Sequence, residues 1–72
     1  MASLPVISGE QCISALAKIS YRRTRQEGSH VRLACPGRVP VTVPLHKTLK
    51  QGTLRGIIRT VGLTVDEFCS LL

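Results

Sequence analysis

Aromatic side chains are nearly missing from this sequence: one Tyr, one Phe and no Trp in 72 residues. A surface that stacks successive bases on several rings is therefore not to be expected. Acidic residues are also few, four against ten Lys and Arg. The three cysteines, Cys12, Cys35 and Cys69, are odd in number and form no CxxC pair. A disulfide framework is not expected on that count. Zinc needs four ligands at closer spacing than Cys35, His30 and His46 provide, so no metal is expected and the cysteines read as small, mostly buried thiols. No apolar run approaches the roughly 18 residues of a membrane span. The first residues lack a basic stretch followed by an apolar one, so no secretion signal is read and a cytoplasmic location is the expectation. Neither an internal repeat nor a low-complexity segment is present.

What remains is basic and compact in pattern. The net charge is +6 and the hydrophobic fraction is 43%. That fraction argues against a disordered tail. The charge, on so small a body, implies a polyanionic partner: nucleic acid first, then an anionic membrane surface or an acidic protein. The length suits one domain over residues 1–72, with 1–7 as a short lead-in. A domain of this size buries only about 60% of its unfolded surface, so a partner that binds the native form adds useful stability.

Ser8 and Gln11 have the spacing of a capping box, and Ile7 and Cys12 that of a hydrophobic staple. Apolar residues at Cys12, Ile13, Leu16, Ala17 and Ile19 predict a helix from Gly9 to about Ser20. Tyr21 to Gln26 carries no helical stripe and suits an edge strand whose arginines discourage further pairing. Gly28 and Ser29 make a turn. From His30 to Ala34 polar and apolar residues alternate, which turns Val31 and Leu33 inward and His30 and Arg32 outward. Cys35 to Arg38 is a hairpin turn. Val39, Val41 and Val43 are expected to face the core, with Pro40 and Thr42 outward and Pro40 marking an unpaired edge. After a loop with His46 and Lys47, a second helix begins near Lys50, with Leu54, Ile57, Ile58 and Val61 on its core face. Arg55 and Arg59 lie on its other side. Gly62 closes it, and Thr64 with Glu67 opens a short third helix from about Val65. The fold class is α+β: α-β-β-β-α with a short extra C-terminal helix, a three-stranded antiparallel sheet, helices on one face.

The turn from Glu27 to His30 is the sharpest chemical feature. Gly28 permits a backbone conformation that other residues avoid. Ser29 can donate to a phosphate oxygen. An imidazole on the open face of a strand can move a proton near neutral pH. Arg22, Arg23, Arg25 and Arg32 surround it with positive charge. RNA cleavage by attack of a ribose 2′-OH on the adjacent phosphorus needs little more than such a base and a cation beside the phosphorane, and no metal. Taken alone, His30 reads slightly better as a residue that begins a strand and caps a turn, because single exposed histidines are common. Lys47 and Lys50, before a helix N-terminus at Gln51, Gly52 and Thr53, form either a phosphate site or an ordinary helix start. The GxxxxGK[ST] loop of nucleotide hydrolases is absent. His46 reads as a loop hydrogen-bonding residue.

The segments RQEGSH at 25–30, PGRVPVTVPLH at 36–46 and KQGTLRGIIRTVGLTVDEF at 50–68 follow in one order. Together they resemble the HicA, or YcfA-like, mRNA interferase toxins of toxin–antitoxin pairs, over nearly the whole chain from Ser8. The resemblance implies a fold similar to the double-stranded RNA-binding domain, cleavage of mRNA, and a HicB-like antitoxin that binds and blocks the toxin. It implies that His30, the histidine after the glycine turn, is catalytic, with Gly28 and Ser29 on the same turn. Many members carry a second histidine where this chain has Val31 and a basic residue where it has Glu27. The RNA-binding set expected is Gly28, Ser29, Arg22, Arg23, Arg25, Arg32, Lys47 and Lys50, without a cofactor. The alternatives are a non-catalytic module that binds double-stranded RNA by shape, and an interaction protein whose basic face serves only an acidic partner.

Overall fold

The computed structural model describes residues 3–72; Met1 and Ala2 of the lead-in lie outside the described residues. The elements run α1 (Gly9–Ala17), β1 (Arg22–Glu27), β2 (His30–Cys35), β3 (Arg38–Pro44), α2 (Gln51–Thr60) and α3 (Val65–Cys69). The strands form one antiparallel sheet in the order β1-β2-β3. This is the α+β order expected, with the third helix stopping at Cys69.

Helix α1 begins with the capping box. The Gln11 N–H donates to Ser8 Oγ at 3.1 Å, and the Ser8 N–H donates to Gln11 Oε1 at 2.9 Å. Both members of the staple, Ile7 and Cys12, are buried. The helix is shorter than its apolar stripe suggests. Ser20 takes φ +78°. Its N–H donates to the Ala17 carbonyl at 3.1 Å, and the Tyr21 N–H donates to the Leu16 carbonyl at 3.2 Å. This is the left-handed stop that glycine normally provides, and serine gives no sign of it. Helix α2 ends in the same way at Gly62, with φ +77° and a bond from the Leu63 N–H to the Ile58 carbonyl at 3.2 Å. The capping box of α3 is also formed, between Thr64 and Glu67.

The central strand β2 alternates as expected, with Val31, Leu33 and Cys35 buried and His30 and Arg32 exposed. Opposite it, Val41 and Val43 are buried, but Val39 is 60% exposed and does not join the core. The cause is an irregularity in the β2–β3 register: Leu33 pairs with Val41, whereas Cys35 pairs with Arg38. Two residues of β3, Val39 and Pro40, therefore stand against Ala34 alone. Pro40 has no N–H for the ladder, and such residues collect at bulges. The displaced Val39 carbonyl accepts a bond from the Tyr21 hydroxyl at 2.8 Å. Arg38, carried to the helix side, donates to the Val61 carbonyl at 2.8 Å, at the negative end of α2.

The core lies between the inner face of the sheet and the helices. Cys12 and Leu16 come from α1, Leu54, Ile57 and Ile58 from α2, and Phe68 from α3. Tyr21 is 2% exposed and is the largest of the fully buried side chains. Burial, helped by Cys35 nearby and opposed by Arg38, raises its hydroxyl pKa. Burial alone pushes the Cys12 thiol up to about 12, so it stays protonated and unreactive. Cys35 is buried and Cys69 half-buried, in keeping with a structural reading of all three.

Helix α1 docks against the connection between β3 and α2 through bare backbone. The Gly9 N–H donates to the His46 carbonyl at 2.9 Å. A Cβ on Gly9 would stand 2.0 Å from the Pro44 carbonyl oxygen and 3.0 Å from the Leu45 Cα. Both neighbours are main chain and cannot swing aside. Gly9→Ala is accordingly expected to cost about 1–3 kcal/mol, the range for overpacking. Gly56, inside α2, has nothing within 4 Å of its missing Cβ. Gly56→Ala is expected to stabilise by about 0.5–1 kcal/mol. Urea unfolding midpoints of the two variants should move in opposite directions.

Candidate functional site

The helices cover one face of the sheet and leave the other open. What stands on the open face follows from register. In an antiparallel pair, directly opposed residues share a face, with Cβ atoms about 4.5–5.5 Å apart. His30 of β2 is opposed by Glu27 of β1. Two residues along β2, or about 7 Å, Arg32 is opposed by Arg25 of β1 and by Thr42 of β3. Two further along, Ala34 is opposed by Arg22.

A bulge in β1 makes this possible. The pairing shifts between Arg23 and Arg25, leaving Thr24 as the extra residue. A regular strand that began with Arg22 on the open face would turn Arg25 to the other side. The bulge keeps Arg22, Arg25 and Glu27 together on the open face. The Thr24 hydroxyl fills the gap by donating to the Arg32 carbonyl at 3.3 Å. Arg23 is left on the helix side, where it bonds Glu10 of α1 at 2.6 Å.

The turn that presents His30 is a two-residue hairpin connection. Gly28 has φ +57°, and Ser29 does not share that conformation. A left-handed first position with glycine suits the right-handed twist of the paired strands. The Gly28 carbonyl accepts from the Gln26 side-chain amide at 3.1 Å. The Ser29 carbonyl accepts from the Leu45 N–H at 2.6 Å, which ties the turn to the segment after β3. That segment carries Lys47 and Lys50 past the same end of the sheet, both exposed. Lys50 is the N-cap of α2 and makes no side-chain capping bond, and the first turn of α2 holds no acidic residue. His46 contributes to the fold through its carbonyl.

Arg25, Glu27, His30, Arg32 and Thr42 line one shallow cavity of about 640 Å³. Of the residues singled out in the sequence, the structure thus gathers His30, Arg25 and Arg32. Gly28 and Ser29 shape the adjoining turn. Arg22 lies one step further on the same face, Lys47 and Lys50 lie off the end of the sheet, and Arg23 is turned away. Glu27 and Thr42 were not foreseen as site residues. The pairing register places them there, and alternation around Arg32 and across the Gly28 turn was the available signal.

The electrostatics are those of an anion site. Arg25 and Arg32 are like charges set directly across from each other, an arrangement unfavourable by itself. Arg25 is relieved by Glu27, at 2.6 Å. Arg32 has only the Thr42 hydroxyl, to which it donates at 3.2 Å. The His30 imidazole makes no hydrogen bond to a protein group among the described residues and is open to solvent. No group of three or more His, Cys, Asp or Glu residues able to hold a metal ion occurs among the described residues. None of the described helices is long and apolar enough to cross a membrane.

The family model described as the HicA toxin of bacterial toxin–antitoxin matches residues 9–63. The chain belongs to the HicA toxin family. None of the curated proteins matches it. The HicA match runs from the start of α1 to just past the end of α2, so it contains the whole sheet and every residue of the cavity. As a HicA toxin, the chain is one half of a toxin–antitoxin pair.

The turn itself is open to a direct test. Alanine at Gly28 would meet no neighbour within 4 Å, so only its backbone conformation would be strained. Gly28→Ala is expected to cost about 1–2 kcal/mol, the left-handed penalty for an L-residue. Gly28→Asn should cost less, because asparagine tolerates that region. Urea unfolding of both variants checks the order.

Proposed function

We propose that this HicA toxin is an mRNA endoribonuclease that cleaves without a metal, with His30 as its general base. The observation that carries the reading is the cavity in which His30 stands about 7 Å along the sheet from the opposed Arg25 and Arg32. The arginines hold the phosphate. The imidazole takes the proton of the neighbouring ribose 2′-OH. The 2′-oxygen then bonds to phosphorus, the P–O5′ bond breaks, and the departing 5′-oxygen takes a proton from solvent. Positive charge fixed beside the phosphate stabilises the phosphorane between these events. One fragment ends in a 2′,3′-cyclic phosphate and the other begins with a 5′-hydroxyl.

Arg22 extends the basic face, and Lys47 and Lys50 offer further phosphate contacts at the end of the sheet. Gly28 and Ser29 let the strand pass close to the bound backbone. With so few aromatic rings, affinity rests on charge rather than on stacking. A HicB-like antitoxin is the protein partner, and it blocks cleavage by covering the face that carries His30. The target, mRNA, places the toxin in the cytoplasm. A module that only binds double-stranded RNA would share the charge and the fold, but it would have no use for an unpartnered imidazole beside an arginine pair.

His30→Ala is expected to lower cleavage by about 10²–10⁴-fold, the contribution of a positioned proton-transfer group. Fold and RNA binding should be nearly unchanged, because His30 is exposed. Cleavage by the parent should persist in excess chelator, and a 2′-deoxy substitution at the cut site should stop it. An Ala variant that cuts as fast as the parent would return His30 to a turn residue.

RNA affinity is expected to fall steeply with salt, by roughly 0.7 in log K per log salt for each phosphate contact on a single strand. Arg25→Gln and Arg32→Gln should each reduce that slope, and so should replacing Lys47 and Lys50. Arg23→Gln should leave it alone, since that guanidinium is bound to Glu10 on the helix side. Filter binding over a salt series measures all of these.

A further inference from the structure

The chain holds four acidic residues. Glu10 lies on α1, and Asp66 and Glu67 lie on α3. Glu27 alone stands on the open face of the sheet, inside the cavity with His30 and the two arginines. A carboxylate there opposes a phosphate, so as mere surface charge it would weaken binding of a polyanion. Its ion pair with Arg25 does not explain it either. Both side chains are about 70% exposed, at 72% and 70%, and exposed pairs contribute little to stability.

Its placement offers a use. Glu27 has two neighbours on the open face: Arg25 on its own strand, to which it is bound, and His30 directly across. We propose that Glu27 is a positioning residue for His30, held by Arg25 until a phosphate takes its place. This rests on the ribonuclease reading above. An arriving phosphate competes for Arg25 with a charge-assisted bond of its own. The freed carboxylate then accepts the N–H of one imidazole nitrogen, leaving the other nitrogen unprotonated and aimed at the 2′-OH. After proton transfer the same carboxylate faces an imidazolium and stabilises it, without taking the proton itself. The imidazole is thereby oriented when substrate is bound. The Arg25 ion pair keeps the repulsive carboxylate neutralised in the meantime.

The test is steady-state cleavage of a mixed-sequence single-stranded RNA by the full chain and its Glu27→Gln, Glu27→Asp and His30→Ala variants. Glu27→Gln is expected to lower kcat about tenfold, a small share of the about 10²–10⁴-fold that the proton-transfer group supplies. KM should be unchanged or lower, since Arg25 is released. Glu27→Asp should recover most of the kcat. In an Arg25→Gln background the kcat loss should persist while the gain in KM disappears. A Glu27→Gln variant with lower KM and unaltered kcat would show that the carboxylate only repels phosphate, and would overturn the proposal. So would no change in either constant, or an Asp variant as slow as the Gln variant. If His30→Ala cleaves like the parent, the ribonuclease reading fails instead, whatever Glu27 does.

Discussion

The register of β2 against its two neighbours is the constraint on which the rest of this small protein depends. Among the described residues, β2 is the strand paired on both sides, and its inward residues are buried almost completely. A slip by one residue would move Val31 and Leu33 into solvent and drive His30 and Arg32 into the core. Burying an arginine or a histidine without a partner costs far more than the hairpins could supply. The hydrophobic requirement of one face therefore sets the chemistry of the other. Gly28 fixes the first hairpin, and the paired bulges in β1 and β3 adjust the edges to the fixed centre.

Both bulges have consequences beyond geometry. In β1, the extra residue Thr24 brings Arg25 onto the open face and Arg23 onto the helix side. The three arginines of β1 thereby divide into one bonded to α1, Arg23 through Glu10, and two on the open face, Arg22 and Arg25. In β3, the extra residue moves Val39 out of the core and brings Arg38 to the C-terminal end of α2. The core gives up one valine, and the exposed Arg38 satisfies a carbonyl at the end of α2. Tyr21 closes the remaining gap, with its ring buried and its hydroxyl on the freed carbonyl of Val39.

Charge on the open face is concentrated rather than balanced. The molecule keeps two of its acidic groups on α3 and one on α1, far in sequence from β2. Two opposed arginines with one carboxylate between them and a histidine are tolerable because all are exposed, where water screens the repulsion. The same exposure leaves them free to exchange partners. A cluster of like charges can thus stand on a core too small to bury one.

Much of this was legible in the residues themselves. Capping boxes at Ser8 and Thr64, the alternation from His30 to Cys35, the turn glycines and the stripe of α2 are local patterns, and each element they predict is present. The family was legible too, through three ordered segments. The stop at Ser20 was not, because serine in a left-handed conformation is held by the burial of Tyr21 against the helix end. Nor was the outward turn of Val39. Alternation assumes an unbroken ladder, and a proline breaks it only when the partner strand fixes where. Membership of the cavity was decided last, and only in three dimensions. Sequence put four arginines near His30, but which of them share its face depends on a bulge. A bulge is set by two strands meeting, so no single strand encodes it.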